Sequence, residues 1–178
     1  MCNEIVLMLI GCILTVIFGR LFQHFLWRVQ YKKTYLNKKI EQQLVCFELV
    51  STLMDKRIYR LRQLYNAVFK TSVYTDDEVK KIRSEYNQTV DEWNFNINKV
   101  LAYLELNFSK ELREEIDGGI GAKFRELGKA CENRGREDNS PSKERDIELL
   151  IEALAGRIYN FNIKMMAEVN LAQNALTK

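Results

Sequence analysis

From Ile40 the apolar residues fall at Ile40, Leu44, Phe47, Val50, Met54, Ile58, Leu61, Tyr65 and Val68, which is 28 residues in eight steps, a period of 3.5. A second series, Val79, Ile82, Tyr86, Val90, Trp93, Ile97, Val100 and Leu104, covers 25 residues in seven steps, a period of 3.57. A third, Ile147, Ile151, Leu154, Ile158, Phe161, Met165, Val169, Ala172 and Leu176, covers 29 residues in eight steps, about 3.6. These are helix periods, whereas a strand would alternate every two residues. Each helix has one stripe to hide, so the pattern predicts an all-α chain folded as an up-and-down bundle. Steps near 3.5 also permit coiled-coil pairing between copies.

Local chemistry marks the boundaries. Thr75-Asp76-Asp77-Glu78 reads as a capping box, with Thr75 as the cap and Glu78 three residues on. Ser140-Pro141 places a cap before a proline at the first helical position. Gly118, Gly119, Gly121, Gly128 and Gly135 crowd one region, and the polar stretch from Glu132 to Ser142 reads as a loop. The predicted helices are 5–70, with a break allowed near a membrane surface, then 76–106, 110–133 and 141–176. Trp93-Asn94-Phe95-Asn96-Ile97 and Tyr159-Asn160-Phe161-Asn162-Ile163 share four identical residues. Each string lies inside a 3.6-period run, so both are read as helix and their likeness as chance.

The N-terminus has a different pattern. Ile5 to Gly19 carries no charge for fifteen residues, about 22 Å of helix against a bilayer core of about 30 Å. Continuing through Leu21, Phe22, Phe25, Leu26 and Trp27 gives full-span length, with Arg20 able to snorkel and Trp27 suited to the headgroup region. A cleaved signal peptide needs a basic start, and Met1-Cys2-Asn3-Glu4 is acidic. Leu9-Ile10-Gly11-Cys12 resembles a lipobox, but the residues after Cys12 stay apolar. The expectation is therefore an uncleaved transmembrane anchor over 1–28 and a cytoplasmic bundle over 29–178. Arg20, Arg28, Lys32, Lys33, Lys38 and Lys39 follow the apolar run with no acid among them, which by the positive-inside rule predicts a single-pass inner-membrane protein with its C-terminal domain in the cytoplasm. Gly11, Thr15 and Gly19 recur every four residues, a spacing that lets helix backbones approach closely. Arg20, Gln23 and His24 cluster after them as candidates for a pore lining or membrane interface.

Composition narrows the chemistry. Lys plus Arg number 27 and Asp plus Glu 24, and a net charge of +3 is too mild to imply nucleic acid by itself. Cys2, Cys12, Cys46 and Cys131 have no C-x-x-C spacing, and His24 is the sole histidine, so a zinc site lacks ligands. A Ser-His-Asp or Cys-His enzyme would have to be built on that one histidine. No metal and no cofactor is expected. Lys56, Arg57, Arg60 and Arg62, with Tyr59 and Tyr65, could touch RNA, although a solvated helix face accounts for them as well. Glu111, Glu114, Glu115 and Asp117 show no metal-ligand spacing.

Late in the chain stands Gly156-Arg157-Ile158-Tyr159-Asn160-Phe161-Asn162. An arginine followed by four residues and a polar side chain resembles the R-x4-6-H motif of HEPN domains, with Asn162 where the family has histidine. With the apolar N-terminus and the basic stretch after it, the whole chain resembles the small membrane-anchored HEPN-like accessory proteins of type VI-B CRISPR systems. The resemblance implies a HEPN-like bundle, a functional partnership with an RNA-guided CRISPR ribonuclease, and antiviral defence. It further implies a homo-oligomer in a lipid membrane, forming a pore that disturbs or depolarises it. In such ribonucleases the arginine helps hold phosphate and the histidine moves protons. Arg157 suits the first role, but Asn162 does not titrate near neutrality. On a regular helix the two residues also point about 140° apart, unless Gly156 allows a bend. No catalytic residue is therefore expected, and Arg157 is expected to pair with an acid such as Glu152 or Glu168 or to sit at a subunit contact. Two alternatives remain: a membrane-tethered HEPN-like RNA-binding protein or ribonuclease using Arg157, and a scaffold whose bundle docks a soluble partner.

Overall fold

Helix α1 (Cys2–Phe69) runs without a break for 68 residues, about 100 Å at 1.5 Å per residue. It is followed by α2 (Asp76–Asn107), α3 (Lys110–Glu114), a π-helical turn (Glu115–Ile120), α4 (Gly121–Glu132) and α5 (Pro141–Asn174). These come from a computed structural model that describes residues 2–70, 73–133 and 141–176, with side chains described at 8, 11, 13–70, 73–133 and 144–176. Ser140, the expected cap of α5, lies outside the described residues.

The turn into α2 forms as its sequence dictates. The Thr75 hydroxyl accepts from the Glu78 N–H, and the Glu78 carboxylate accepts from the Thr75 N–H at 2.8 Å. Donation from the Thr75 N–H and from the Thr75 hydroxyl holds the Glu78 carboxyl below the usual carboxylate range. From there α2 runs back along α1, α3 to α4 returns, and α5 descends again against α1. Arg60 to Glu85 and Gln43 to Asn107 tie α1 antiparallel to α2, while Arg62 to Glu152 and Lys70 to Glu148 tie it antiparallel to α5.

The core is what the stripes specify. Val50, Met54, Leu61 and Tyr65 of α1 meet Tyr86, Trp93, Val100 and Leu104 of α2 and Ile151, Leu154, Ile158, Phe161 and Met165 of α5. Ile116, Ile120, Phe124 and Leu127 fill the space between them. Leu44 departs from its stripe: it is exposed, and Gln43 and Cys46 are buried in its place. The π turn was not expected. It adds a residue to the 110–132 stretch, and Gly121 closes it where a Cβ would sit 2.8 Å from the Ile116 carbonyl.

The two similar strings face opposite ways. Trp93 is buried and Phe95 is 87% exposed, whereas Phe161 is buried and Tyr159 exposed. The strings therefore carry no duplicated unit.

The N-terminal expectation is corrected. Among the described residues no helix is long and apolar enough to cross a membrane. Fifteen uncharged residues fall short of a bilayer, and the extension needed to lengthen them brings in Arg20, Gln23 and His24. The side chains at 2–7, 9, 10 and 12, which include much of the apolar run, lie outside the described residues. The transmembrane part of the expected fold falls with this finding. So does the single-pass inner-membrane placement with a cytoplasmic C-terminal domain, which was built on it. What is observed is an apolar helix that continues past its bundle. The first buried side chain of α1 among the described residues is Ile40.

The opposite phases of the two strings yield a stability test. Phe161→Ala should cost about 3–5 kcal/mol, as for a truncated core aromatic. Phe95→Ala should stay within about 0.5 kcal/mol. Urea unfolding of both variants measures the difference, and equal losses would refute the assigned burial.

Candidate functional site

Arg157 projects from the middle of α5 toward the π turn. Its Nε donates to Glu115 Oε1 at 2.5 Å and its other nitrogen to Oε2 at 3.0 Å, a two-pronged pair that matches the flat guanidinium to the carboxylate. The turn makes this geometry. It carries Glu115 at its start and brings Gly119 beneath the guanidinium, where a Cβ would stand 2.5 Å from an Arg157 nitrogen. The hydrogen bond to Glu115 raises the Arg157 pKa above the ordinary arginine value, and the same bond lowers that of Glu115 against the opposing effect of burial.

Arg157 thus pairs with an acid, and the acid is Glu115 rather than Glu152 or Glu168. Glu152 is taken by Arg62 at 2.9 Å. Helix α5 continues unbroken through Gly156, which has open space around its Cβ position. Arg157 and Asn162 therefore stay about 140° apart round the axis. Asn162 Oδ1 is buried without a hydrogen-bond partner. Beside the ion pair lies a cavity of about 360 Å³ lined by Glu111, Glu115 and Glu168 with Lys164 as its one cation. Three carboxylates beside an engaged guanidinium repel a phosphate, and Asn162, at the place of the family's histidine, lies about 140° away round the helix. As it stands, the arrangement fastens α5 to the π turn.

The basic cluster of α1 is dispersed in the same way. Lys56 pairs with Glu92, Arg60 with Glu85 and Gln63, and Arg62 with Glu152. Arg57 points inward and is 2% exposed. Its guanidinium lies 4.8 Å from the ring centre of Trp93 and 4.6 Å from that of Phe124, and its Nε is buried without a hydrogen-bond partner. Burial lowers its pKa, partly offset by Tyr86. The Tyr86 hydroxyl reaches this place because position 128 is glycine, where a Cβ would meet it at 2.2 Å. Sequence reading placed Arg57 on a solvated face. The inward phase of Met54, Arg57, Ile58 and Leu61 was the available signal.

The N-terminal candidates all lie on the part of α1 that has no neighbour. Arg20, Gln23 and His24 are exposed, with the His24 ring stacked on Trp27 at 6.3 Å. Gly11 and Gly19 have nothing within 4 Å of a Cβ position, and the Thr15 hydroxyl donates to the Gly11 carbonyl at 2.8 Å. Among the described residues no three His, Cys, Asp or Glu side chains are grouped to hold a metal ion. Burial pushes the thiols of Cys46 and Cys131 up to about 11 and about 12, so neither is a nucleophile at neutral pH. No family model, no curated protein and no solved structure matches this chain.

Two outcomes follow from these geometries. Arg157→Ala should cost only about 0.2–1 kcal/mol, since the pair is partly exposed. Glu115 has a depressed folded pKa, so its contribution is complete above the ordinary carboxylate pKa of about 4.3 and fades as pH falls through the lower folded value. The stability gap between wild type and variant should therefore shrink on acidification, and a widening gap in urea titrations would contradict the pairing. Arg57→Ala should cost about 3 kcal/mol by leaving a void between two rings, and Arg57→Met, which fills it, less than half of that. Equal losses would deny Arg57 its packing role.

Proposed function

We propose that this chain is a non-enzymatic, self-associating accessory protein that works beside an RNA-guided CRISPR ribonuclease in antiviral defence and acts by disturbing a membrane. The observation that carries the reading is the uncovered part of α1. Ile13, Leu14, Val16, Ile17, Phe18, Leu21, Phe22, Phe25 and Trp27 are all more than 40% exposed. At 100° per residue they spread over about 240° of the axis, and the remaining face carries Thr15, Gly19 and Gln23. An apolar arc that wide needs more cover than one partner helix gives. Several copies packed side by side through the small-residue face, with lipid against the apolar arc, meet that need. The link to CRISPR defence rests on the resemblance of the sequence, and on nothing in the geometry.

The ribonuclease reading has less support. It needs a free phosphate-binding arginine and a proton carrier beside it. Arg157 is held by Glu115 in acidic surroundings, and Asn162 faces elsewhere.

The test separates the two. In cells carrying the triggered ribonuclease, the chain should lower the membrane potential, while the purified chain should leave labelled RNA intact. Gly11→Leu with Gly19→Leu should abolish the depolarisation and leave bundle melting unchanged, because a lone chain has open space at both positions. RNA cleavage that vanishes in Arg157→Ala, with the potential unmoved, would overturn the proposal.

A further inference from the structure

A cavity of about 600 Å³ opens where α1 leaves the bundle, between α1, the α2–α3 turn and the end of α5. Gln43 lines it and is 3% exposed. The Gln43 Nε2 donates to the Asn107 carbonyl at 2.7 Å, but its Oε1 is buried with no donor. This leaves Gln43 Oε1 an acceptor that a donor on a bound group can fill. Lys39 and Glu168 also line the cavity, and neither has an ion-pair partner among the described residues. Ser109, the N-cap residue of α3, makes no side-chain capping bond and leaves its hydroxyl for other use.

An orphan acceptor and a carboxylate call for N–H donors, and an unpaired ammonium calls for an anion. A primary ammonium two carbons from a phosphate offers both. Beside these polar groups the wall has an apolar part formed by Leu36, Leu106, Phe108 and Leu171, and Leu36 lies next along α1 to the exposed Tyr35, with Tyr31 and Trp27 one and two turns beyond it. That path suits acyl chains. A free zwitterion would leave it bare.

We propose that this cavity is a headgroup site for an aminophospholipid, with the ammonium held by Gln43 Oε1 and Glu168, the phosphate by Lys39, and the acyl chains along α1. The proposal deepens the reading that lipid covers part of α1 and rests on it.

The experiment measures binding of the purified full chain to vesicles of dioleoyl phosphatidylcholine and to an equal mixture of that lipid with dioleoyl phosphatidylethanolamine. Phosphatidylcholine carries the same charges but has no N–H to donate. The mixture should bind about tenfold tighter, the worth of one charge-assisted hydrogen bond. That preference should disappear in Gln43→Met. Glu168→Ala, a partly exposed position, should reduce it in a chain that folds normally, so the test survives if the Gln43 variant does not fold. Equal binding of wild type to both vesicles would overturn this site and leave the membrane reading standing. Binding to neither vesicle would overturn both. Soluble phosphoethanolamine competing as effectively as the vesicle would overturn the lipid assignment.

Discussion

One mismatch of length governs this molecule. Helix α1 has 68 residues, whereas its long neighbours α2 and α5 have 32 and 34. A bundle can bury only as much of α1 as its partners reach, and burial starts at Ile40. Among the described residues, the preceding turns keep apolar side chains such as Phe18, Phe22 and Trp27 in the open. At about 25 cal/mol per Å² of apolar surface left in water, such a length of helix is a standing driving force for association. Large exposed apolar surfaces mark interaction sites. The bundle therefore serves as a stable base, and the protruding helix supplies the surface that must find company.

The base itself is held by charges turned inward or locked across helices. Arg57 sits between Trp93 and Phe124, joining α1, α2 and α4 through one guanidinium. Arg157 joins α5 to the π turn. Each pairing removes a cation from the pool that could hold RNA. The same pairings thus stiffen the bundle and weigh against a nuclease.

Much of this fold can be read from the chain because helix periodicity is local. The stripes from Ile147 to Val169 and from Val50 to Val68 are buried nearly residue for residue, and the capping box at Thr75 forms as written. Longer-range features escaped. Arg157 pairs with a residue 42 positions earlier and Arg62 with one 90 positions later, and no sequence spacing encodes such partners. The π turn left only a cluster of glycines as a trace. Arg57 looked like its charged neighbours, because a guanidinium between rings and one on a solvated face have the same one-letter signature. The apolar N-terminus reaches bilayer length only across Arg20 and His24, and no described helix is long and apolar enough to cross a membrane.

The central claim is that the uncovered half of α1 gathers copies of the chain. Native mass measurement of the full-length protein released intact from mild detergent tests it most directly. The account predicts a single assembly whose mass is a multiple of 21.0 kDa greater than two. A monomer at every concentration and in every detergent would contradict it.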